Sequence, residues 1–169
     1  MSLSRFSAIP PFYYAVFAVY EPFLTFAGLV GTLSDPERTY NQQAPWPRSA
    51  PPPDSLPLAA NVTIIQLANV CALLGLVNLF ILSAARKHLH QYPAMQEHIV
   101  SALLTPLLIG DVLHLVLTLY ALGEERWHFE MWSSTSWLTM VLGVSLLAPR
   151  VAWHLGLGRY VDKRDGRII

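Results

Sequence analysis

Glu21, Asp111, His114, Arg150 and His154 all lie inside stretches that are otherwise apolar enough to cross a bilayer. An unpaired charge in hydrocarbon costs about 3 kcal/mol on insertion scales, so such groups usually face a partner, a cavity or a substrate. Asp111 and His114 stand three residues apart, which puts a carboxylate and an imidazole on one helical face, with Thr118 one turn beyond. Such a pair can share a proton and pass it on, which makes it a candidate for acid–base catalysis. Asp111 is then the acid, His114 tunes its proton affinity or accepts a proton, and Glu21 is the second acid or base. Arg150 holds Glu21 ionised, either as a structural ion pair or as part of the chemistry.

The elements that position these residues follow from composition. Hydrophobic residues make up 53% of the 169-residue chain and charged residues 13%, and the mean hydropathy is positive. That balance describes a membrane protein. A span needs roughly 20 apolar residues, and four stretches qualify: 12–33, 58–83, 99–122 and 135–157. Each should be helical, because a helix satisfies its own backbone where water is absent. The expected fold is all-α, a four-helix transmembrane bundle forming a single domain over 1–169, with no room for a separate soluble catalytic domain. The first span carries aromatics and Glu21 and starts too late for a cleaved signal peptide. A formal charge of zero gives no basis for nucleic-acid binding. Cys71, the single cysteine, reads as a small hydrophobe inside a span.

Lys and Arg counts set the orientation. Arg5, Arg86, Lys87, Arg159, Lys163, Arg164 and Arg167 fall on one side, and Arg38, Arg48 and Arg126 on the other. Both termini are therefore expected in the cytosol. The lumenal loop 34–57 holds Pro36, Pro45, Pro47, Pro51, Pro52, Pro53 and Pro57, which is expected to forbid regular structure and favour extended backbone, as a linker or lid. Measured from the cytosolic ends, Glu21, Asp111 and Arg150 lie roughly 13, 18 and 10 Å deep, in one layer. Tyr14, Phe17, Glu21, Thr25 and Gly28 share a stripe on the first helix, Gln66 and Asn69 add polar groups from the second, and Asn78 points to another side. Tyr14, Tyr20, Asn69 and Trp153 are candidates to line the interior, although for Tyr20 and Trp153 the core reading leads. The amides can instead be interhelical glue at about 0.6 kcal/mol per hydrogen bond. Trp127, Trp132 and Trp137 read as an interfacial belt, and His88, His90 and His98 as part of a basic loop. Gly156-Leu157-Gly158 reads only as flexibility. No ligand spacing suggests a metal, no phosphate loop or dinucleotide fingerprint is present, and no cofactor is implied.

Ile9-Pro10-Pro11-Phe12-Tyr13, Tyr20-Glu21-Pro22, Asp111-Val112-Leu113-His114-Leu115 and Leu155-Gly156-Leu157-Gly158-Arg159 together resemble a group of small fungal four-span membrane proteins of largely unassigned function, with members in secondary-metabolite pathways. More distantly, the chain resembles the membrane-bound cyclases of fungal meroterpenoid pathways and the sterol-isomerase-like fold. Those resemblances imply buried acids that protonate an epoxide or alkene, with Glu21 and Asp111 as the fitting pair. The expected function is an intramembrane isomerase or cyclase acting on a lipophilic terpenoid or meroterpenoid. The alternative is a non-enzymatic protein that scaffolds pathway enzymes or moves a lipophilic metabolite. Expected partners are the lipophilic substrate, membrane lipid, pathway enzymes or further copies of the chain; the default location is the endoplasmic reticulum membrane.

Overall fold

A computed structural model describes residues 7–46 and 51–165. Arg5, Arg48 and Arg167, used above for orientation, and Pro47 of the loop lie outside them. The described residues form helices α1 (Pro11–Ser34), α2 (Pro36–Asn41), α3 (Leu58–His88), α4 (Pro93–Ala121), α5 (Ser134–His154) and α6 (Asp162–Asp165), with no strand among them. Four of these, α1, α3, α4 and α5, are long and apolar enough to span a membrane, which makes this a multi-pass membrane protein. In the bundle α1 packs along α3 and α4 along α5, while contacts of α3 with α4 and of α5 with α1 close the ring.

Helix α1 is not uniformly α-helical. Ala15–Tyr20 winds as a π-helix, and the Glu21 N–H reaches back five residues to the Val16 carbonyl. Pro22 supplies the cause, since it has no N–H and its ring crowds the carbonyl four residues earlier, so a widened turn before it relieves the clash. Just past this point α3 comes very close. A Cβ on Gly75 would stand 2.2 Å from Thr25 Oγ1 and 3.0 Å from Pro22 Cα, so only glycine lets the two helices approach this far.

The core lies at the end of the bundle that carries Ser7 and Asp165, where Ile9, Tyr13, Phe17, Leu82, Val100, Leu104 and Trp153 pack together. Gln96 organises this end. Its Oε1 accepts from the Ala8 N–H at 2.8 Å and the Ser7 hydroxyl at 2.9 Å, and its Nε2 donates to the Ala85 carbonyl at 3.1 Å. Trp153 Nε1 donates to the Ala8 carbonyl at 2.8 Å, and the Tyr160 N–H to the Ser7 carbonyl at 3.1 Å. Helix α5 ends in a Schellman turn, with the Leu157 N–H on the Ala152 carbonyl, the Gly156 N–H on the Trp153 carbonyl and Gly156 at φ +72°. That turn aims Arg159 back at the bundle, where its guanidinium lies 3.9 Å from the Trp153 ring centroid and pairs with Glu97. Gly156-Leu157-Gly158 is thus a defined cap, not a merely flexible stretch.

The proline-rich loop also departs from expectation. Pro36–Asn41 is helical because Pro36 starts a helix without needing a donor, and the Asp35 side chain caps it by accepting from the Arg38 N–H at 2.9 Å. The segment after it is docked: Thr135 donates to Gln42 Oε1 at 2.7 Å, and the Ser133 hydroxyl to the Gln42 carbonyl. Near that end Phe129, Trp132 and Trp137 form one aromatic cluster, with ring centroids 5.1 to 6.1 Å apart.

Candidate functional site

Arg150 is the centre of the bundle's polar interior. Its side chain is fully buried; Nη2 donates to Glu21 Oε2 at 2.6 Å, and Nη1 donates to Asp111. Three spans therefore converge on one guanidinium. The planar fork of arginine suits this arrangement, because its two terminal nitrogens diverge and can each serve a separate carboxylate, which the point charge of lysine cannot do as well. The Phe17 ring, one turn before Glu21 on the π-helical side, lies 5.2 Å from the guanidinium carbon and forms part of its wall. Pro149 immediately precedes Arg150 and frees the carbonyl of Ser145, whose hydroxyl meets the Tyr20 hydroxyl at 3.3 Å.

Helix α3 closes the layer. Asn78 is completely buried with its amide facing the Glu21 carboxylate, yet among the described residues neither polar atom of that amide completes a hydrogen bond. His154, one turn beyond Arg150, ties α5 to α4. Its Nδ1 lies 2.8 Å from the Arg150 carbonyl, which can only accept, so Nδ1 donates there, and Nε2 meets the Thr105 hydroxyl at 3.2 Å.

The formal charges in this layer cancel only when one of the two acids carries a proton. Two ionised carboxylates against one guanidinium leave a charge of −1 in a medium that solvates charge poorly, and a single proton on either acid removes it. Exposure separates the two acids: the Asp111 side chain is 17% exposed and that of Glu21 only 9%. Asp111 is thus the more exposed of the two carboxyls bound by Arg150.

The structure brings Glu21, Asp111 and Arg150 together and disperses the other candidates. His114 is exposed on α4, and among the described residues no hydrogen bond joins its ring to Asp111. Tyr14 donates to or accepts from the Ser83 hydroxyl at 2.9 Å and lies under the Arg86 guanidinium, 4.3 Å from ring centroid to carbon. Tyr20 is partly exposed beside Ser145, and Trp153 belongs to the core at the terminal end. The second helix reverses its expected faces: Gln66 and Asn69 are exposed on the outside of the bundle, whereas Asn78 is the inward amide. Depth already distinguishes them, because Asn78 is roughly 8 Å from the terminal end of the 58–83 span while Asn69 and Gln66 are roughly 21 and 26 Å away. Two surface concavities, one lined by residues including Tyr92, His98, Tyr160 and Asp162 and the other by residues including Tyr40, Gln43 and Leu67, do not include the charged layer.

No curated protein matches the chain, and no solved structure matches it. Residues 6–160, which include every side chain of the charged layer, match the family described as Domain of unknown function (DUF7704), and the chain belongs to that family.

Proposed function

We propose that the protein is an integral membrane acid–base catalyst, an isomerase or cyclase, acting on a lipophilic terpenoid or meroterpenoid that reaches the bundle from the lipid. One observation carries this reading: two carboxylates from different spans share a single buried guanidinium, so the layer is neutral only with a proton on one of the two acids. The substrate class follows the sequence resemblance to small fungal secondary-metabolite membrane proteins and meroterpenoid cyclases. In the reaction Asp111, as the more accessible acid, gives its proton to an alkene carbon or an epoxide oxygen. A carbocation forms, with the epoxide C–O bond breaking in the second case. Loss of a proton from a neighbouring carbon to a layer carboxylate forms the new double bond and restores the enzyme, so the substrate is neither oxidised nor reduced. Glu21, kept ionised by Arg150, supplies the counter-charge where positive charge develops. His114, further along α4, is the next group able to accept a proton. Asp111→Asn should leave the bundle assembled and abolish turnover; unchanged product formation would remove Asp111 from the mechanism.

A second reading is favoured by the hydrogen bonds that tie both carboxylates to the one guanidinium and by the distance of both concavities from them. Here the layer is a structural lock in a non-enzymatic protein that scaffolds pathway enzymes or moves a lipophilic metabolite. Such a protein keeps its activity when Glu21→Gln, Asp111→Asn and Arg150→Gln are combined, because the neutral set retains hydrogen bonding without a stranded charge. The catalyst does not.

A further inference from the structure

Gln66 and Asn69 put carboxamides on the outer surface of α3. They stand roughly 12 and 17 Å from the Leu58 end of the helix, inside a hydrocarbon core about 30 Å thick. A carboxamide has two donors and an acceptor oxygen, and lipid tails satisfy none of them. The two are three residues apart and share one side of the helix. The same side continues as Val62, Leu73, Val77 and Phe80, all exposed, so the series 62, 66, 69, 73, 77, 80 advances with the helical period along most of the span. The stripe that packs into the bundle, Ile64, Ala72, Gly75, Asn78 and Leu82, runs along a different side, leaving the amide face free of any duty in the fold.

The chemistry of this face identifies its occupant. It has no charge to attract a charged partner, and its two polar groups are each donor and acceptor, so the surface that best complements it is itself. We infer that α3 forms the interface of a symmetric homodimer, in which Gln66 and Asn69 of one copy hydrogen-bond the same residues of the other across a twofold axis, with Leu73, Val77 and Phe80 packing below. Buried amides at one level also fix the register of the two helices, as single polar positions do in coiled coils. Nothing in this inference depends on the catalytic reading.

The test uses the full chain in liposomes, with donor- and acceptor-labelled copies diluted by added lipid. Wild type should show energy transfer that falls with dilution and fits a dimer. Combining Gln66→Leu with Asn69→Leu should weaken association about tenfold or more. Leucine suits a lipid-facing site, so the variant stays folded, as an unchanged tryptophan emission spectrum would verify. In a Cys71→Ser background, Leu73→Cys should cross-link to its own copy and Val116→Cys, on the outside of α4, should not. Dilution-independent or absent transfer in wild type, an unaltered dimer in the double leucine variant, or cross-linking through Val116→Cys but not Leu73→Cys would overturn the assignment.

Discussion

At the scale of the residue, Arg150 decides the energetics of the interior. Removing one partner of a buried ionic group strands the rest, at roughly 3–5 kcal/mol. Arg150→Met should therefore be strongly destabilising in denaturant titration of the protein in micelles, because Glu21 and Asp111 lose their common cation. The combination Glu21→Gln, Asp111→Asn, Arg150→Met should recover most of that loss, since it leaves no buried charge. A triple variant as unstable as Arg150→Met alone would show that the charges are not what holds the three spans together. Much of this layer could be read in the sequence, because charge inside an apolar span is conspicuous and rise per residue converts position to depth. The choice between Asn78 and the pair Gln66 and Asn69 was not legible from helical spacing. Both the lipid-facing and the packed sides of a span are mostly apolar, so helical spacing alone does not say which of its amides faces inward.

Among the elements, α1 and α3 matter most, because the π-helical turn and the glycine contact set where Glu21 points. Pro22→Ala removes the reason for the widened turn. The segment then relaxes toward regular winding, Glu21 shifts relative to Arg150, and turnover should fall at least about tenfold with little change in helix content by circular dichroism. Turnover equal to wild type would mean that the π-turn does not position the acid. Gly75→Ala drives a methyl group into Thr25 and the backbone at Pro22, and should cost about 1–3 kcal/mol in the same unfolding assay. The Glu21-Pro22 dipeptide signals the distorted turn, since proline inside a span must displace a backbone bond. By contrast, the docking of Ser7 and Ala8 on Gln96 and of Arg159 on Glu97 joins residues far apart in the chain. Contacts of that kind leave no periodicity in the sequence.

For the whole molecule, the four spans among the described residues place Ser7 and Tyr160 on one side, where the Tyr160 N–H donates to the Ser7 carbonyl. The excess of Lys and Arg at that end gives the cytosol as its expected side. In a Cys71→Ser background, a membrane-impermeant thiol reagent added to sealed microsomes should label Ala94→Cys from outside and reach Ser55→Cys only after permeabilisation; the reverse pattern would invert the topology. The most direct measurement of the central claim is the terpenoid profile of cells that express wild type, no protein, or Asp111→Asn at equal membrane abundance. The expected result is one precursor that accumulates identically in the latter two and is consumed by wild type. A product profile in Asp111→Asn indistinguishable from wild type, with the variant folded, would contradict it.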